Sequence, residues 1–193
     1  FRNHSVTFYF ESLLDGHDRN KFEIYGYGNT EKPDVVTERL SDKFDFYRDI
    51  NKVSDKEVVE FIRADSIDIL VDLAGHTGRN RLHVLAYKPA PVHVSYLGYP
   101  NTTGMPQIDY RLTDCIADTP DQQQYYTEKL VFLPNGFLCY NPGEVTLKIK
   151  ELPMLHSNYI TFSCFNNIAK LGPVIIKIWV DILNSVPNSR LIL

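Results

Sequence analysis

Short apolar runs alternate with stretches of helical periodicity along the whole chain, and this alternation restricts the fold more than any single motif does. It is the signature of an α/β fold built on a parallel sheet. Helical spacing predicts helices over residues 3–14 and 35–44, and after the capping box Ser54-Asp-Lys-Glu57, where Val58, Phe61 and Ile62 share one face. Further helices are expected over 79–87, stopped by Pro89 and Pro91, over 122–129, and from Pro173 to about Val186. Extended runs are expected at 22–27, 67–73, 92–97, 109–114, 130–133, 159–165 and 190–193. The run at 67–73 is mostly apolar, as a buried parallel strand should be. The Asn-Pro-Gly at 141–143 opens a linker over 141–158. An α/β lobe is therefore expected over 1–140, with a second lobe opening at 159–193.

Composition sets limits on function. The 193 residues are 44 % hydrophobic and 23 % charged, the balance of a globular protein with a real core. Twenty Lys and Arg against 24 Asp and Glu leave a net charge of −4, which argues against nucleic acid as the main partner. No apolar run approaches the ~18 residues that span a membrane. Three isolated cysteines, Cys115, Cys139 and Cys164, suit reduced thiols and a cytoplasmic setting better than a disulfide framework. The chain opens at Phe1 without Met and stops inside an apolar run, so it reads as a piece of a longer polypeptide.

In open α/β sheets ligands gather outside the carboxyl ends of the strands. That rule selects Gly75-His-Thr-Gly78, Gly98-Tyr-Pro-Asn-Thr-Thr-Gly104 and Asn166-Asn-Ile-Ala-Lys170. His76 can donate or accept a hydrogen bond at neutral pH, or simply be satisfied by backbone in a turn leading into a helix. The 98–104 loop offers amides, two hydroxyls and a carboxamide, a cradle for a sugar or phosphate or a tight structural turn. Lys170 can offset a diphosphate that also faces a helix N-terminus, or be solvated like most surface lysines. His4, at the start of a helix, can move a proton in a cleft or sit half-exposed near the chain start. No His-x-x-x-His, Asp-x-Asp, Walker loop or Gly-x-Ser-x-Gly is present. The missing Asp-x-Asp counts against transferases that grip a diphosphate through a divalent ion.

Taken together, the motifs resemble a known family. Asp68-Ile-Leu-Val-Asp-Leu-Ala-Gly-His-Thr77, Pro89-Ala-Pro-Val92 and Leu97-Gly-Tyr-Pro-Asn-Thr-Thr-Gly104 resemble the catalytic region of the protein O-GlcNAc transferase and SPINDLY family. The likeness runs on through Asp109-Tyr-Arg-Leu-Thr-Asp114, Leu138-Cys-Tyr140, Phe165-Asn-Asn-Ile-Ala-Lys170, Trp179 and Val186-Pro-Asn-Ser-Arg190. Phe1-Arg-Asn-His-Ser5 matches the opening of the family's first catalytic lobe.

The resemblance implies a Rossmann-like lobe of a GT-B glycosyltransferase plus the start of the second Rossmann-like lobe, with the donor in the cleft. It implies a metal-independent, inverting transfer of GlcNAc from UDP-GlcNAc to Ser or Thr of proteins, without a cofactor. It also implies tetratricopeptide repeats upstream, which recruit protein acceptors. By the same resemblance, His4 matches a histidine near the reacting centre, and Lys170 a lysine that contacts the donor diphosphate. Asn167 matches a polar position facing the nucleotide, where the animal enzymes carry Gln. Leu97, Gly98, Pro100 and Thr102 match the loop that shapes the sugar pocket. His76 aligns with a tyrosine of the animal enzymes and a histidine of the bacterial and plant-type ones. Two alternatives stay open: a protein O-fucosyltransferase using GDP-fucose, as in the SPINDLY branch, and a non-catalytic lobe kept for protein interaction.

Overall fold

The computed structural model describes residues 1–143 and 147–193, so residues 144–146 of the expected linker lie outside the described residues. The chain divides into two compact units, Phe1–Glu144 and Val145–Leu193. Unit 1 holds α1 (Thr7–Gly16), β1 (Tyr25–Gly28), α2 (Val35–Ser41), β2 (Phe46–Asp49) and α3 (Asp55–Ala64). It continues with β3 (Ile69–Asp72), α4 (Leu82–Ala86), β4 (Val92–Ser95), β5 (Tyr110–Thr113) and β6 (Lys129–Phe132). Unit 2 holds α5 (Met154–Ser157), β7 (Thr161–Ser163), α6 (Pro173–Ser185) and β8 (Arg190–Ile192).

Every strand pair is parallel, so all carboxyl ends within a sheet point the same way. In unit 1, β1 pairs with β2, and a second sheet runs in the order β3-β4-β5-β6. In unit 2, β7 pairs with β8. The α/β class expected from the alternation is the class observed.

The capping box that starts α3 is present: the Ser54 hydroxyl accepts from the Glu57 amide, and the Glu57 carboxylate accepts from the Ser54 amide. The helix then buries Val58, Val59 and Ile62, which pack with Ile50, Leu85 and Ile108 in the core of unit 1. Tyr27 on β1 and Leu70 on β3 rest against the same cluster, so the core serves both sheets.

The structure departs from the sequence expectations in six places, one of them the short helix α5 inside the expected linker over 141–158. The first helix starts at Thr7, not Asn3. The Asn3 amide is taken by the Asp34 carboxylate, and the Thr7 hydroxyl bonds back to the Arg2 carbonyl, so the opening residues are tied into a turn. The helix expected over 79–87 is only α4. Arg79 has φ +62°, and Arg81 stays non-helical while its guanidinium reaches Asp55 and the carbonyls of Val53 and Ile50. The segment expected to be helical over 122–129 is a 3₁₀ turn, Pro120–Tyr125, begun by Pro120 and a Thr119–Gln122 capping box. Strand β2 carries no apolar alternation and was not anticipated; only Tyr47 in it is half-buried. Strand β3 lies at the edge of its sheet, and Ile69 and Val71 on one face are exposed rather than buried.

Candidate functional site

The carboxyl ends of β3 and β4 carry the two loops that sequence reasoning selected in unit 1. At the end of β3 the buried Asp72 carboxylate accepts from the amides of Gly75 (2.6 Å) and Ala74 (3.2 Å). Burial pushes the Asp72 carboxyl above its ordinary range, and the two amides pull against that push. They fold residues 72–75 into a tight turn in which Gly75 takes φ +52°. After β4, Leu97 adopts φ +61°, a left-handed conformation that costs a non-glycine residue about 1–2 kcal/mol. The turn around it is closed by the Gly98 amide on the Tyr96 carbonyl (2.9 Å).

The two loops interlock. A Cβ at Gly98 would lie 1.9 Å from the Leu73 carbonyl oxygen, and one at Gly75 would lie 2.2 Å from Tyr99 Cβ. Each loop therefore needs its glycine to admit the other. Across the junction the His76 ring meets Tyr99 edge-on, centroids 5.3 Å apart, and His76 Nε2 lies 2.7 Å from the Thr103 carbonyl oxygen.

Buried charges hold the 97–104 loop from below. Arg111 on β5 is 2 % exposed and donates to the Tyr99 carbonyl at 2.7 Å, with the Asp118 carboxylate 3.6 Å from its Nε. Glu128, just before β6, is fully buried. It accepts from the Thr103 amide (2.7 Å), the Thr102 hydroxyl (2.7 Å), the Thr127 hydroxyl (3.1 Å) and the Thr103 hydroxyl. Burial works to raise the Glu128 carboxyl, but the hydrogen bonds from Thr103 and Thr102 outweigh it and hold it below the usual range. It is thus a carboxylate that needs its threonines.

The structure brings His76, Leu97, Gly98 and Thr102 into this one assembly; Pro100 lies exposed on the loop's outer side. His4 stands apart from it. It is exposed in the turn before α1, its Nδ1 accepts from the Val6 amide at 3.3 Å, and it has no hydrogen bond to either loop. Asn167 and Lys170 belong to unit 2. Asn167 accepts from the Ala169 amide at 3.0 Å and so caps the 3₁₀ turn Ile168–Lys170. Lys170 ends that turn, exposed and without a salt bridge among the described residues, shortly before α6 starts at Pro173. Among the described residues, no group of three or more His, Cys, Asp or Glu converges to hold a metal ion. No helix among them is long and apolar enough to cross a membrane.

Sequence reasoning missed Asp72, Arg111 and Glu128. Arg111 and Thr113 are buried polar residues at alternate positions of β5, and a charge on the inward side of a strand was the available signal. Glu128 gave none, because the loop threonines it holds, Thr102 and Thr103, lie 26 and 25 residues away.

Comparison with known proteins decides the relationship. Glycosyl transferase family 41 matches residues 1–141. The chain belongs to glycosyl transferase family 41. Among its family 41 relatives, a tomato (Solanum lycopersicum) protein named probable UDP-N-acetylglucosamine–peptide N-acetylglucosaminyltransferase SPINDLY is 45 % identical over 98 % of this chain and 21 % of its own length. The Arabidopsis thaliana protein of the same description named SEC is 32 % identical, over 99 % of this chain and 20 % of that protein. A solved structure, a mutant O-GlcNAc transferase of Thermobaculum terrenum, superposes with a TM-score of 0.86 at 37 % identity. It covers 98 % of this chain and 36 % of its own, and it supports the GT-B reading of the fold. The chain spans about a fifth of the length of the curated relatives it matches.

Proposed function

We propose that the protein carrying this chain transfers N-acetylglucosamine from UDP-GlcNAc to Ser or Thr hydroxyls of protein acceptors, by direct displacement and without a metal ion. One observation carries the reading. The chain aligns over 98 % of its length with relatives named as UDP-GlcNAc–peptide transferases, and its interlocked carboxyl-edge loops lie inside that alignment.

In this reading the 97–104 loop shapes the sugar pocket, with Leu97, Gly98, Pro100 and Thr102 on it and His76 beside it. The acceptor hydroxyl attacks the anomeric carbon in line. A new C–O bond forms as the bond to the diphosphate breaks, the hydroxyl proton passes to solvent, and the configuration inverts. The departing nucleoside diphosphate gains negative charge. Lys170 and the free amides at the start of α6 offset that charge. His4 lines the acceptor side or assists the proton.

The test uses the full-length protein with UDP-GlcNAc, EDTA and a pool of Ser/Thr peptides, read by intact mass. The expected gain is one N-acetylhexosamine, with a β-anomeric product from the α-linked donor. Lys170→Ala should lower the rate by about 10²–10³-fold with the fold intact. No gain from a folded protein would overturn the reading in favour of an interaction lobe. The alternative donor, GDP-fucose, rests on the resemblance to the SPINDLY branch, whose members are up to 45 % identical to this chain, against 32 % for SEC. A parallel reaction with GDP-fucose decides between the two sugars by mass.

A further inference from the structure

We infer that Glu128 is a positioning residue: it fixes Thr103 by its amide and hydroxyl, and through the Thr103 carbonyl the protonation pattern of His76, so that the ring presents Nδ1 to the site as a hydrogen-bond acceptor. The inference rests on the reading that the 97–104 loop shapes the sugar pocket.

One residue, Thr103, joins the two contacts: its amide and hydroxyl are both held by Glu128, and its carbonyl opens the next peptide group. The Thr103 amide donates to Glu128, and the Thr103 carbonyl faces His76 Nε2 at 2.7 Å. A carbonyl oxygen only accepts, so Nε2 carries the hydrogen, and in the neutral ring the lone pair falls on Nδ1. Nδ1 makes no hydrogen bond among the described residues. The ring is steadied by Tyr99 at its edge, and the Tyr99 carbonyl is held by Arg111. Glu128 itself has no exposed surface, so it touches no ligand; it acts only through the threonines it binds. An imidazole that always offers its acceptor nitrogen rewards a ligand hydroxyl, such as those around a sugar ring, and penalises a group that can only accept.

The mechanism needs the reach of the Glu128 side chain and not its charge. In Glu128→Gln the carboxamide oxygen still accepts from the Thr103 amide and hydroxyl. Its nitrogen donates to the Thr127 hydroxyl; the Thr102 hydroxyl already accepts from the Gly104 and Thr127 amides, so Gln keeps the Thr103 contacts and gives up the Thr102 one. In Glu128→Asp the charge remains, but the side chain is one methylene too short to reach Thr103. Gln should therefore preserve the site and Asp should disturb it.

The test labels the ring nitrogens of histidine with ¹⁵N in the full-length protein. Long-range proton–nitrogen correlation NMR at about pH 8, above the usual histidine range, reads which nitrogen holds the hydrogen. His76 is assigned by loss of its signals in His76→Gln. The expected result is Nε2–H in the parent and in Glu128→Gln, and a mixture of tautomers in Glu128→Asp. A parent ring with Nδ1–H overturns the inference at once. So does Asp matching the parent while Gln loses the preference, because that ranking belongs to a charge. In the transferase assay Glu128→Asp should raise KM for the donor about fivefold, the cost of one lost neutral hydrogen bond, and leave kcat nearly unchanged. Absence of transfer by the parent protein would overturn the functional reading alone, since the tautomer is read without turnover.

Discussion

Helices α3 and α6 are similar in length, yet the described residues cover them differently. In α3 the charged residues Lys56, Glu60 and Arg63 face outward, while Val58, Val59 and Ile62 are each about fully buried. In α6 the apolar residues run around the helix, and none is buried: Val174, Ile176 and Ile178 are each about half or more exposed. The amphipathic pattern of α3 matches the face that unit 1 can cover. The pattern of α6 exceeds what the residues of unit 2 cover. An apolar stripe stabilises a helix only in proportion to the area removed from water, so the same residue type carries different weight in the two units.

Truncating a buried and an exposed isoleucine puts the largest strain on this contrast. Ile62→Ala should destabilise unit 1 by about 2–5 kcal/mol, through lost burial and the cavity left behind. In the 193-residue chain by itself, Ile178→Ala should change unit 2 by less than about 0.5 kcal/mol. Urea unfolding followed by hydrogen exchange separates the two units. An Ile178→Ala cost as large as that of Ile62→Ala would show that α6 is covered in solution and would break the comparison.

Acid provides the next test. His93 on β4 is fully buried, and burial, with the nearby Lys88 ammonium adding to it and Asp109 opposing it, lowers its pKa to about 4. A folded-state pKa below the unfolded value of about 6.5 means that the unfolded chain binds the proton first. The contribution of neutral His93 is therefore present above pH ~6.5 and is lost as pH falls from there toward 4, by up to about 3 kcal/mol. Unit 1 of His93→Gln should show a flatter stability profile over that window than the parent. Equal slopes would remove His93 from the account.

Helix starts carry the smallest effects. Ser54→Ala removes the α3 capping box and should cost about 1 kcal/mol, seen as a shift in the urea midpoint of unit 1. At the start of α6, Gly172 supplies no side-chain cap, and a Cβ there meets open space. Gly172→Ser should stabilise unit 2 by about 0.3 kcal/mol. A gain there as large as the Ser54→Ala loss would mean that helix starts, rather than buried faces, set the difference between the units.

Parts of this picture were legible before any coordinates. The α3 capping box is spelled by Ser54 and Glu57, because its bonds close within one helical turn. The loops at the ends of β3 and β4 stood out by their glycines and hydroxyls, and both glycines proved to be demanded by the neighbouring loop. Strand β2 was silent because it has no alternating face to read. Leu97 was read as a pocket residue, but nothing in a leucine announces a left-handed backbone. Glu128 and Arg111 look in sequence like any solvated charges. Their burial follows from partners 25 and 12 residues away.

The amino-acid sequence by itself determined the α/β class, the helix starts that close locally, and which loops fall at the carboxyl ends of the strands. Those properties arise from periodicity and from bonds between residues three or four apart. Only the tertiary structure decided that Arg111 and Glu128 lie under the 97–104 loop, that two glycines interlock, and that His76 Nε2 meets the Thr103 carbonyl. Each of these depends on groups far apart in the chain meeting at hydrogen-bond distance, and a local pattern carries no record of that meeting.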